Sequence, residues 1–597
     1  MADLVPTASP IAVGDEGSLS GKPFVVLGRL QLDHGRGPWD EWYLGFSDGS
    51  WGWLARAEGR WYATFEKPAG TPPGWETLAP STVISLEGTG SVDWVVTERG
   101  GAATVSAEGE LPYAVDPKGS GRYVDLEAEG GAFATLDFGD GTLPPLLFAG
   151  RELAASDLRL KQTAVGPRPV EQVEVARLAC PTCGAPIDIV VPSEAERCGC
   201  AHCGSLLDFD KGALKLLEQL ELPAIRPLIA LGSVGELLGV CRTVIGFMQR
   251  SLTVDGDLYT FREYLLHSEQ GFSWLLEENH HWLHVAPIST GDVQEFGQSA
   301  RCKTVSYRAF AKALPSVDFV IGEFYWKVSR GDQSETMDYV APPRLLSVER
   351  TDNEVSWSEG EYVEPTQLVR AFALSAPLPR PVGVAPAQPN PYTGRGATMV
   401  FALLAALWLV IALAYEVFDG ERVLATATLE LPRREALGVP AGVLQGSVAF
   451  SEPFEVRRGP TTLKVDLHSN VSNGWVQVDT SLVPEPGGTT RDLKLVSERY
   501  TGNDDGEGWA EGDSASSGYF GRVPSGRYTL RFFGSWQPND NGWAAQATPP
   551  TTRLEVSQGG RSPACCCGTL LLIALPWLLS RLNRLSFELR RRQNENL

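Results

Sequence analysis

Two glycine-patterned stretches of the chain match one another: IAVGDEGSLSGKPFVVLGRL at residues 11–30 and IALGSVGELLGVCRTVIGFM at residues 229–248. Their glycines coincide, so that Gly14, Gly17, Gly21 and Gly28 align with Gly232, Gly235, Gly239 and Gly246. Self-similarity of this kind indicates an internal duplication. Glycines repeated at fixed places most simply supply the positive φ angles of turns. The two stretches therefore mark the beginnings of two copies of one domain.

The match continues downstream of each stretch. Further aligned pairs are Glu41-Trp42-Tyr43-Leu44 with Glu263-Tyr264-Leu265-Leu266, Trp53-Leu54 with Trp274-Leu275, Trp61 with Trp282, and SVDWVV (91–96) with SVDFVI (316–321). The copies cover roughly residues 11–152 and 229–370.

Within each copy, apolar and aromatic residues alternate between turn residues, as in FVVLGRL, EWYLGF and WGWLARA. This period of two is typical of antiparallel strands. Seventeen Trp against four Met also favour aromatic-rich β structure. We therefore predict a mainly β fold with two repeated β-sandwich or barrel-like domains, over residues 1–160 and 211–375. ALKLLEQLEL (213–222) is predicted to be a short helix that leads into the second.

The repeated pattern GxxGxxxG…W(Y/L)…WL…W, found on both sides of a cysteine-rich segment, resembles the bacterial family called domain of unknown function 4178. The resemblance covers most of residues 11–375, and its motifs are mainly glycines and tryptophans that identify a family better than a site. The second copy departs from the pattern, with Tyr264 in place of Trp42 and a longer hairpin before it. The resemblance implies a bacterial protein without an established activity and, by association only, a place in envelope physiology.

The cysteine-rich segment is LACPTCGAPIDIVVPSEAERCGCAHCGSLLDF (178–209). Cys180 and Cys183 form one CxxCG knuckle, and Cys200 and Cys203 form the other, which is the spacing of a zinc ribbon. Pairing Cys198 with Cys200 is the alternative, but one intervening residue is too few for the knuckle turn. We predict a ribbon over residues 175–210 with a structural Zn²⁺ on those four thiolates, because a closed site leaves no coordination position for a substrate.

Two apolar stretches predict transmembrane helices, at residues 397–416 and 564–580. ATMVFALLAALWLVIALAY (397–415) has no charge and nearly the length of about 20 residues that crosses a bilayer. The alternative, a buried helix of a soluble domain, fits less well because a Pro-rich linker (376–396) precedes it. The second stretch contains Pro576 and is followed by a basic tail (581–597).

The charge bias predicts a protein of the bacterial inner membrane, with both termini cytoplasmic and residues of about 417–563 extracytoplasmic. The start of the chain has neither a basic start nor an apolar run, and so we expect no cleavable signal peptide. Cys565, Cys566 and Cys567 would lie at the outer edge as small packing residues, with redox or lipidation roles as the alternative. The leucines of the tail share one face, which suits a helix on anionic lipid.

Residues 420–560 contain strand-like runs and predict an extracytoplasmic β-sandwich. Within it lies TGNDDGEGWAEGD (501–513), where acidic side chains surround Trp509. A solvated acidic loop is one interpretation, and a Ca²⁺ or sugar site is the other.

The sequence assigns no catalytic or cofactor-binding residues. GSLSGKP (17–23) lacks the pattern of a phosphate-binding loop, and His280 and His284 in ENHHWLH lack the HExxH spacing. The net charge of −22 argues against nucleic acid as a partner.

We expect a non-enzymatic, membrane-anchored scaffold or sensor of the envelope, which links the external sandwich to a cytoplasmic interaction platform. Its partners would be the membrane and other envelope or cytoplasmic proteins, and self-association stays open. The alternative is a metal- or carboxylate-dependent hydrolase that acts at the membrane. Its candidate acids are the ones that the alignment repeats: Glu41 with Glu263, and Asp93 with Asp318.

Overall fold

The computed structural model of the chain describes residues 11–593 apart from 35–37, 58, 91, 117–118, 155, 162–175, 193, 211–212, 220–225, 255, 432–445, 458, 505–506, 539–545, 547 and 560–562. The expectation about a signal peptide concerns mostly residues before this range. The expectation about the thiols of Cys565–Cys567 concerns side chains that lie outside the described residues. The contacts divide the chain into one unit of Met1–Pro391 with Arg584–Leu597 and another of Tyr392–Asn583.

The first repeat is a closed barrel. Its strands are β1 (Glu16–Leu19), β2 (Lys22–Asp33), β3 (Pro38–Phe46), β4 (Trp51–Ala57), β5 (Arg60–Lys67), β6 (Val83–Ser85), β7 (Asp93–Gly109), β8 (Ser120–Ala128), β9 (Ala132–Gly139), β10 (Leu146–Leu153) and β11 (Leu158–Lys161). Neighbouring strands follow the order β2-β3-β4-β5-β10-β9-β8-β7, and β7 pairs back to β2. The long β7 makes this closure possible, because its first half pairs with β8 and its second half with β2.

The cysteine-rich segment consists of short strands. They are β12 (Ala176–Ala179), β13 (Pro186–Ile189), β14 (Arg197–Gly199), β15 (Ser205–Asp210) and β16 (Ala213–Gln219). The helix predicted over residues 213–222 is therefore wrong: its described part is β16. Leu214 lies opposite Phe209, and Leu216 lies opposite Leu207 on β15. This pairing overrides the helix propensity of the Leu, Lys, Glu and Gln residues.

The second repeat is a barrel of the same kind. Its elements are β17 (Val234–Leu237), β18 (Val240–Val254), β19 (Asp257–Ser268), β20 (Gly271–Glu278), β21 (His281–Ile288), β22 (Val293–Glu295), β23 (Ser299–Cys302), β24 (Val305–Ala313), β25 (Ser316–Phe324), β26 (Glu335–Ala341), β27 (Arg344–Arg350), β28 (Val355–Val363) and helix α1 (Pro365–Ala371). The order β18-β19-β20-β21-β28-β27-β26-β24 repeats that of the first barrel. Closure comes from β25, which follows β24 after a break at Pro315 and pairs with β18.

The closing strands correct one part of the sequence alignment. Val95 of β7 pairs with Glu127, and Arg308 of β24 pairs with Val340. The second residue after each of them forms a bulge, so that Val95 and Arg308 are counterparts. Thus β24 and β25 together correspond to β7. SVDFVI (316–321) lies on β25, and its counterpart is the second half of β7, not SVDWVV (91–96). The two hexapeptides are similar in sequence but occupy different places in the barrel.

The other unit contains two helices, the second only as far as Asn583, and ten strands among its described residues. They are α2 (Arg395–Asp419), β29 (Arg422–Leu429), β30 (Ser447–Phe450), β31 (Phe454–Val456), β32 (Thr461–Ser469), β33 (Gly474–Glu485), β34 (Arg491–Asp504), β35 (Glu507–Asp513), β36 (Ala515–Val523), β37 (Gly526–Pro538), β38 (Thr552–Gln558) and α3 (Pro563–Gln593). The strands form a sheet β29-β38-β32-β36 and a sheet β30-β37-β33-β34-β35 with β31 beside β37. One apolar core lies between the sheets, with Val465, Val478, Phe532 and Leu554 at its centre.

The acidic segment 501–513 is a hairpin in its described part, where the sequence analysis placed a loop. Thr501 on β34 faces Ala510 on β35, and Gly502 faces Trp509. All the β35 side chains are exposed. Among the described residues, no acidic cluster with metal-ligating geometry occurs here.

Candidate metal centre and carboxylate cavity

Two identical turns bring the four predicted thiols together. The N–H of Gly184 donates to Cys180 O at 2.9 Å, and the N–H of Gly204 donates to Cys200 O at 2.9 Å. Both glycines have φ of +73°, a conformation that other residues adopt only with strain. Backbone N–H groups of Cys183 and Thr182 outweigh the effect of burial and lower the pKa of the Cys180 thiol to about 6. Burial raises the pKa of the Cys200 thiol to about 12, so the knuckle geometry does not lower the pKa of every thiol in the cluster.

The four sulfur atoms fit one tetrahedral metal ion. All of them lie within 4.8 Å of one another, with Cys180 Sγ 3.7 Å from Cys203 Sγ and Cys183 Sγ 3.8 Å from Cys200 Sγ. A tetrahedron with metal–sulfur bonds of about 2.3 Å has sulfur atoms about 3.8 Å apart. The set is the one that the spacing predicted.

Cys198 lies outside this cluster. It is fully buried on β14, opposite Leu207 of β15 and Glu323 of β25. Burial, and then the charge of Glu323, raise the pKa of its thiol, which suits a small packing residue more than a ligand.

The cysteine segment is joined to the second barrel. Strand β14 pairs with β25, so the sheet of the barrel continues into the segment. The buried carboxylate of Glu323 accepts the N–H of Val190 at 2.8 Å and that of Val191 at 3.1 Å. A contact to the first barrel is the ion pair of Arg56 and Glu194, at 2.6 Å. The segment therefore connects the two repeats.

The barrels also contact one another directly. Glu127 of β8 accepts the N–H of Thr290 at 2.6 Å, and Gly130 donates its N–H to Asp292 Oδ1 at 2.8 Å. Beside them, the backbone at Ala128 packs so closely on Gly291 that a Cβ there would overlap it. The two repeats and the cysteine segment thus form one continuous unit.

Carboxylates face one another inside the first barrel. Glu41 on β3 and Asp137 on β9 are four strands apart around the wall, and both line the same cavity, where the charge of Asp137 acts on Glu41. Burial, reinforced by that charge, raises the pKa of Glu41 to about 6, against an N–H bond from Trp39. Asp125, bonded to Thr135 at 2.6 Å, has its pKa raised by burial and then by Glu98.

The second barrel repeats this arrangement. The counterparts of Glu41, Asp125 and Asp137 are Glu263, Asp338 and Glu349. Equivalent strand pairing identifies them; for example, Asp338 pairs with Ser347 as Asp125 pairs with Thr135. Burial raises the pKa of Glu263 to about 7 and that of Asp338 to about 6.

A buried arginine accompanies the acids of the second barrel. The buried Arg250 lies 3.6 Å from Glu263 and 3.2 Å from Glu349. Leu32 occupies the corresponding position in the first barrel, since Leu32 faces Trp39 as Arg250 faces Phe261.

A cavity of about 1650 Å³ is lined by side chains of both barrels. Glu41, Asp125, Asp137, Glu263 and Asp338 are among them. The sequence analysis selected Glu41 and Glu263 but missed the two acids that accompany each. The alternation of apolar and polar residues along a strand indicates which side chains point inward. Only the closed barrel shows which of these side chains lie close to one another.

Other candidates from the sequence are not brought together. Asp93 is exposed at the start of β7, whereas Asp318 accepts a bond from Ser251 at 2.8 Å, and they are not equivalent positions. His280 lies in the turn before β21, 3.1 Å from Glu277, and does not share a strand face with His284. Burial lowers the pKa of His284 to about 4.

The two predicted membrane segments are helices long and apolar enough to cross a bilayer. The stretches that meet this description are Arg395–Ala414 and Gly568–Gln593. In the most apolar part of each stretch, only 0% and 6% of the residues are buried within the described structure. The core helix of a soluble domain would be mostly buried.

Two solved structures that are similar to this chain are distant from it. The β-fructofuranosidase BmSUC1 of Bombyx mori is 10% identical with a TM-score of 0.10, and the match covers 87% of this chain and 89% of that one. The insecticidal delta-endotoxin Cry8Ea1 of Bacillus thuringiensis is 8% identical with a TM-score of 0.12, over 55% of each chain. TM-scores this low carry no argument. No curated protein matches the sequence.

A family model does match, and it matches twice. The two matches cover residues 12–154 and 230–365, which are the two barrels, and leave out the cysteine segment, the helices and the sandwich. The glycines and tryptophans shared by the copies are those that shape the barrels. Both barrels of this chain belong to the family named domain of unknown function DUF4178.

Proposed function

We propose that this protein is a non-enzymatic, membrane-anchored scaffold or sensor of the bacterial envelope. In this proposal the two barrels and the cysteine segment form a cytoplasmic platform, and the sandwich of residues 422–558 lies on the outer side. One observation carries it: the cysteine segment joins the second barrel through β14–β25 pairing, and the two barrels contact each other through Glu127 and Thr290. A continuous unit of this kind presents a fixed surface to partners.

The metal that we propose for the four cysteines is Zn²⁺, in a structural role. Four thiolates at tetrahedral separation are a closed site, which stiffens the segment and leaves no position for a substrate. Because β14 is part of the second barrel's sheet, metal binding would hold that barrel and the segment in one arrangement.

The anchor in this proposal is the pair of helices α2 and α3. Arg395 before the first apolar stretch, and Arg581, Arg584, Arg590 and Arg592 at the end of the second, favour the cytoplasmic side for both ends. The sandwich would then face the outside between the two crossings.

A carboxylate-dependent hydrolase is the second candidate, and the carboxylates in the shared cavity favour it. Glu41, Glu263 and Asp338 have pKa values raised toward neutrality by burial, as general acids and bases commonly do. Structural burial of acids in a barrel produces the same shift.

Co-purification from the native membrane separates the two functions. The full-length protein would be compared with Glu41→Gln and Glu263→Gln, and each would also be introduced into a deletion strain. A scaffold predicts the same protein partners and the same growth for all three. A variant that keeps its fold and its partners but fails to restore growth would favour the hydrolase.

A further inference from the structure

The segment of residues 382–390, here called the strap, lies on the second barrel. The N–H of Val382 donates to Asn279 O at 2.9 Å, and the His281 ring lies 3.2 Å from Val382 O and 2.9 Å from the Tyr362 hydroxyl. Ala387 is 2% exposed and packs among Leu283, Leu345 and Tyr362. The Pro-rich segment predicted to be a linker is therefore attached to the barrel in this part.

The strap also forms part of the cavity wall. Ala385, Pro386 and Ala387 line the cavity together with Leu283 and Leu345. Removal of these strap residues would open the wall at this place. The strap is thus positioned to control access to the carboxylates inside.

The C-terminal end of α3 holds the strap from its outer side. The guanidinium of Arg591 donates to Ala385 O at 3.2 Å, to Gln388 O at 2.7 Å and to Pro386 O. Its Nε donates to Glu588 at 3.0 Å, and the group lies over the Phe587 ring at 5.3 Å. Arg591 is only 4% exposed. A buried guanidinium is tolerated because its donors have acceptors.

A second contact fixes the other end of the strap. Asn390 Nδ2 donates to Glu588 Oε1 at 2.7 Å and to Arg584 O at 3.3 Å. Phe587, Glu588 and Arg591 share one helical face, so the same side of α3 makes both contacts. The neighbouring Arg590 and Arg592 are exposed, and the three consecutive arginines therefore differ in role.

We propose that the end of α3 is a latch: Arg591 and Glu588 keep the strap closed over the second barrel's cavity, and displacement of α3 releases it. The chain that carries Arg591 is continuous with the apolar stretch that begins at Gly568. A shift of that helix would withdraw the guanidinium from three carbonyls at once. The inference deepens the proposed sensor, because it supplies a route from the membrane helix to the cavity.

Hydrogen exchange of the purified full-length protein in detergent tests the latch. Arg591→Ala should raise exchange at the Val382 and Gln388 amides about tenfold or more, since charge-assisted hydrogen bonds to the strap are lost. Arg592→Ala removes an exposed arginine one residue away and should leave these amides unchanged. A cysteine introduced at Ala387, followed by mass spectrometry of its peptide, should react with a maleimide faster by a similar factor in Arg591→Ala.

Unchanged strap exchange and unchanged labelling in Arg591→Ala would overturn the latch. If Arg591→Ala also loosens β27 and β28, Arg591→Lys decides, because Lys keeps the charge without the fork that reaches several carbonyls. Faster strap exchange in Arg591→Lys with a protected barrel would support the latch, and wild-type exchange would contradict it. The measurement needs no membrane, so that its failure would leave membrane anchoring untouched.

Discussion

Gly109 and Gly322 occupy the same position in the two barrels. Each has a positive φ, +73° and +82°, and each pairs with the glycine that follows a bulge in the second strand of its repeat. A Cβ added to Gly109 would overlap Leu27 O, and one added to Gly322 would overlap Ile245 O. Both barrels therefore close at a point where only glycine fits.

Gly322→Ala should destabilise the second barrel by about 2 kcal/mol or more, because it combines a disfavoured φ with overlap on backbone atoms. Gly74→Ala is the matched control, since Gly74 has φ of −67° and an added Cβ would have nothing within 4 Å. Thermal unfolding followed by tryptophan fluorescence measures both. Equal melting temperatures for the two variants would show that the closure does not depend on this glycine.

The metal prediction separates two neighbouring cysteines. Purified wild-type protein and Cys198→Ser should each contain about one zinc per chain, whereas Cys200→Ser should lose most of it, because three thiolates hold zinc far less well than four. Elemental analysis by mass spectrometry gives the content. Equal metal loss in Cys198→Ser and Cys200→Ser would refute the ligand assignment.

Glu41 should make the first barrel less stable as the pH rises. Its folded-state pKa of about 6 exceeds the ordinary value of 4.5, so that the folded state binds the proton more tightly than the unfolded chain. Its stabilising contribution is present below about pH 4.5 and is lost by about pH 6. By linkage, the raised pKa of Glu41 contributes at most about 2 kcal/mol to the free energy of unfolding.

Glu41→Gln should remove that dependence, and its melting temperature relative to wild type should increase between pH 4 and pH 7. Glu66→Gln, at an exposed position of β5, is the control and should track wild type. A constant difference between Glu41→Gln and wild type across this range would mean that Glu41 titrates as it does in water.

The sequence predicted the parts of this structure that depend on local constraints. The CxxCG spacing predicted which four thiols lie together, because a knuckle turn is complete within five residues. Of the glycines aligned at the start of each repeat, Gly14 and Gly21 have positive φ, as do their counterparts Gly232 and Gly239. Gly17 and Gly28, and their counterparts Gly235 and Gly246, lie instead where a Cβ would overlap neighbouring atoms.

Features that depend on distant pairing were not predictable in this way. Residues 213–219 have helix-forming side chains but pair with β15, and SVDWVV resembles a hexapeptide from a different place in the barrel. The groups of three acids arise only when strands four apart in the wall face each other. In the sequence, Arg591 is one of several arginines of the basic tail, and only its contacts with the strap show that its environment differs.

The most direct test of the proposed membrane-anchored platform is the position of its two halves relative to the bilayer. Single cysteines introduced at Ser375, beyond the second barrel, and at Gly487, in the sandwich, are both at exposed sites. Intact cells would be treated with a membrane-impermeant maleimide, and labelling would be compared with that of permeabilised cells. The account predicts labelling at position 487 and none at 375 until the cells are permeabilised; labelling of both positions in intact cells, or of 375 alone, would contradict it.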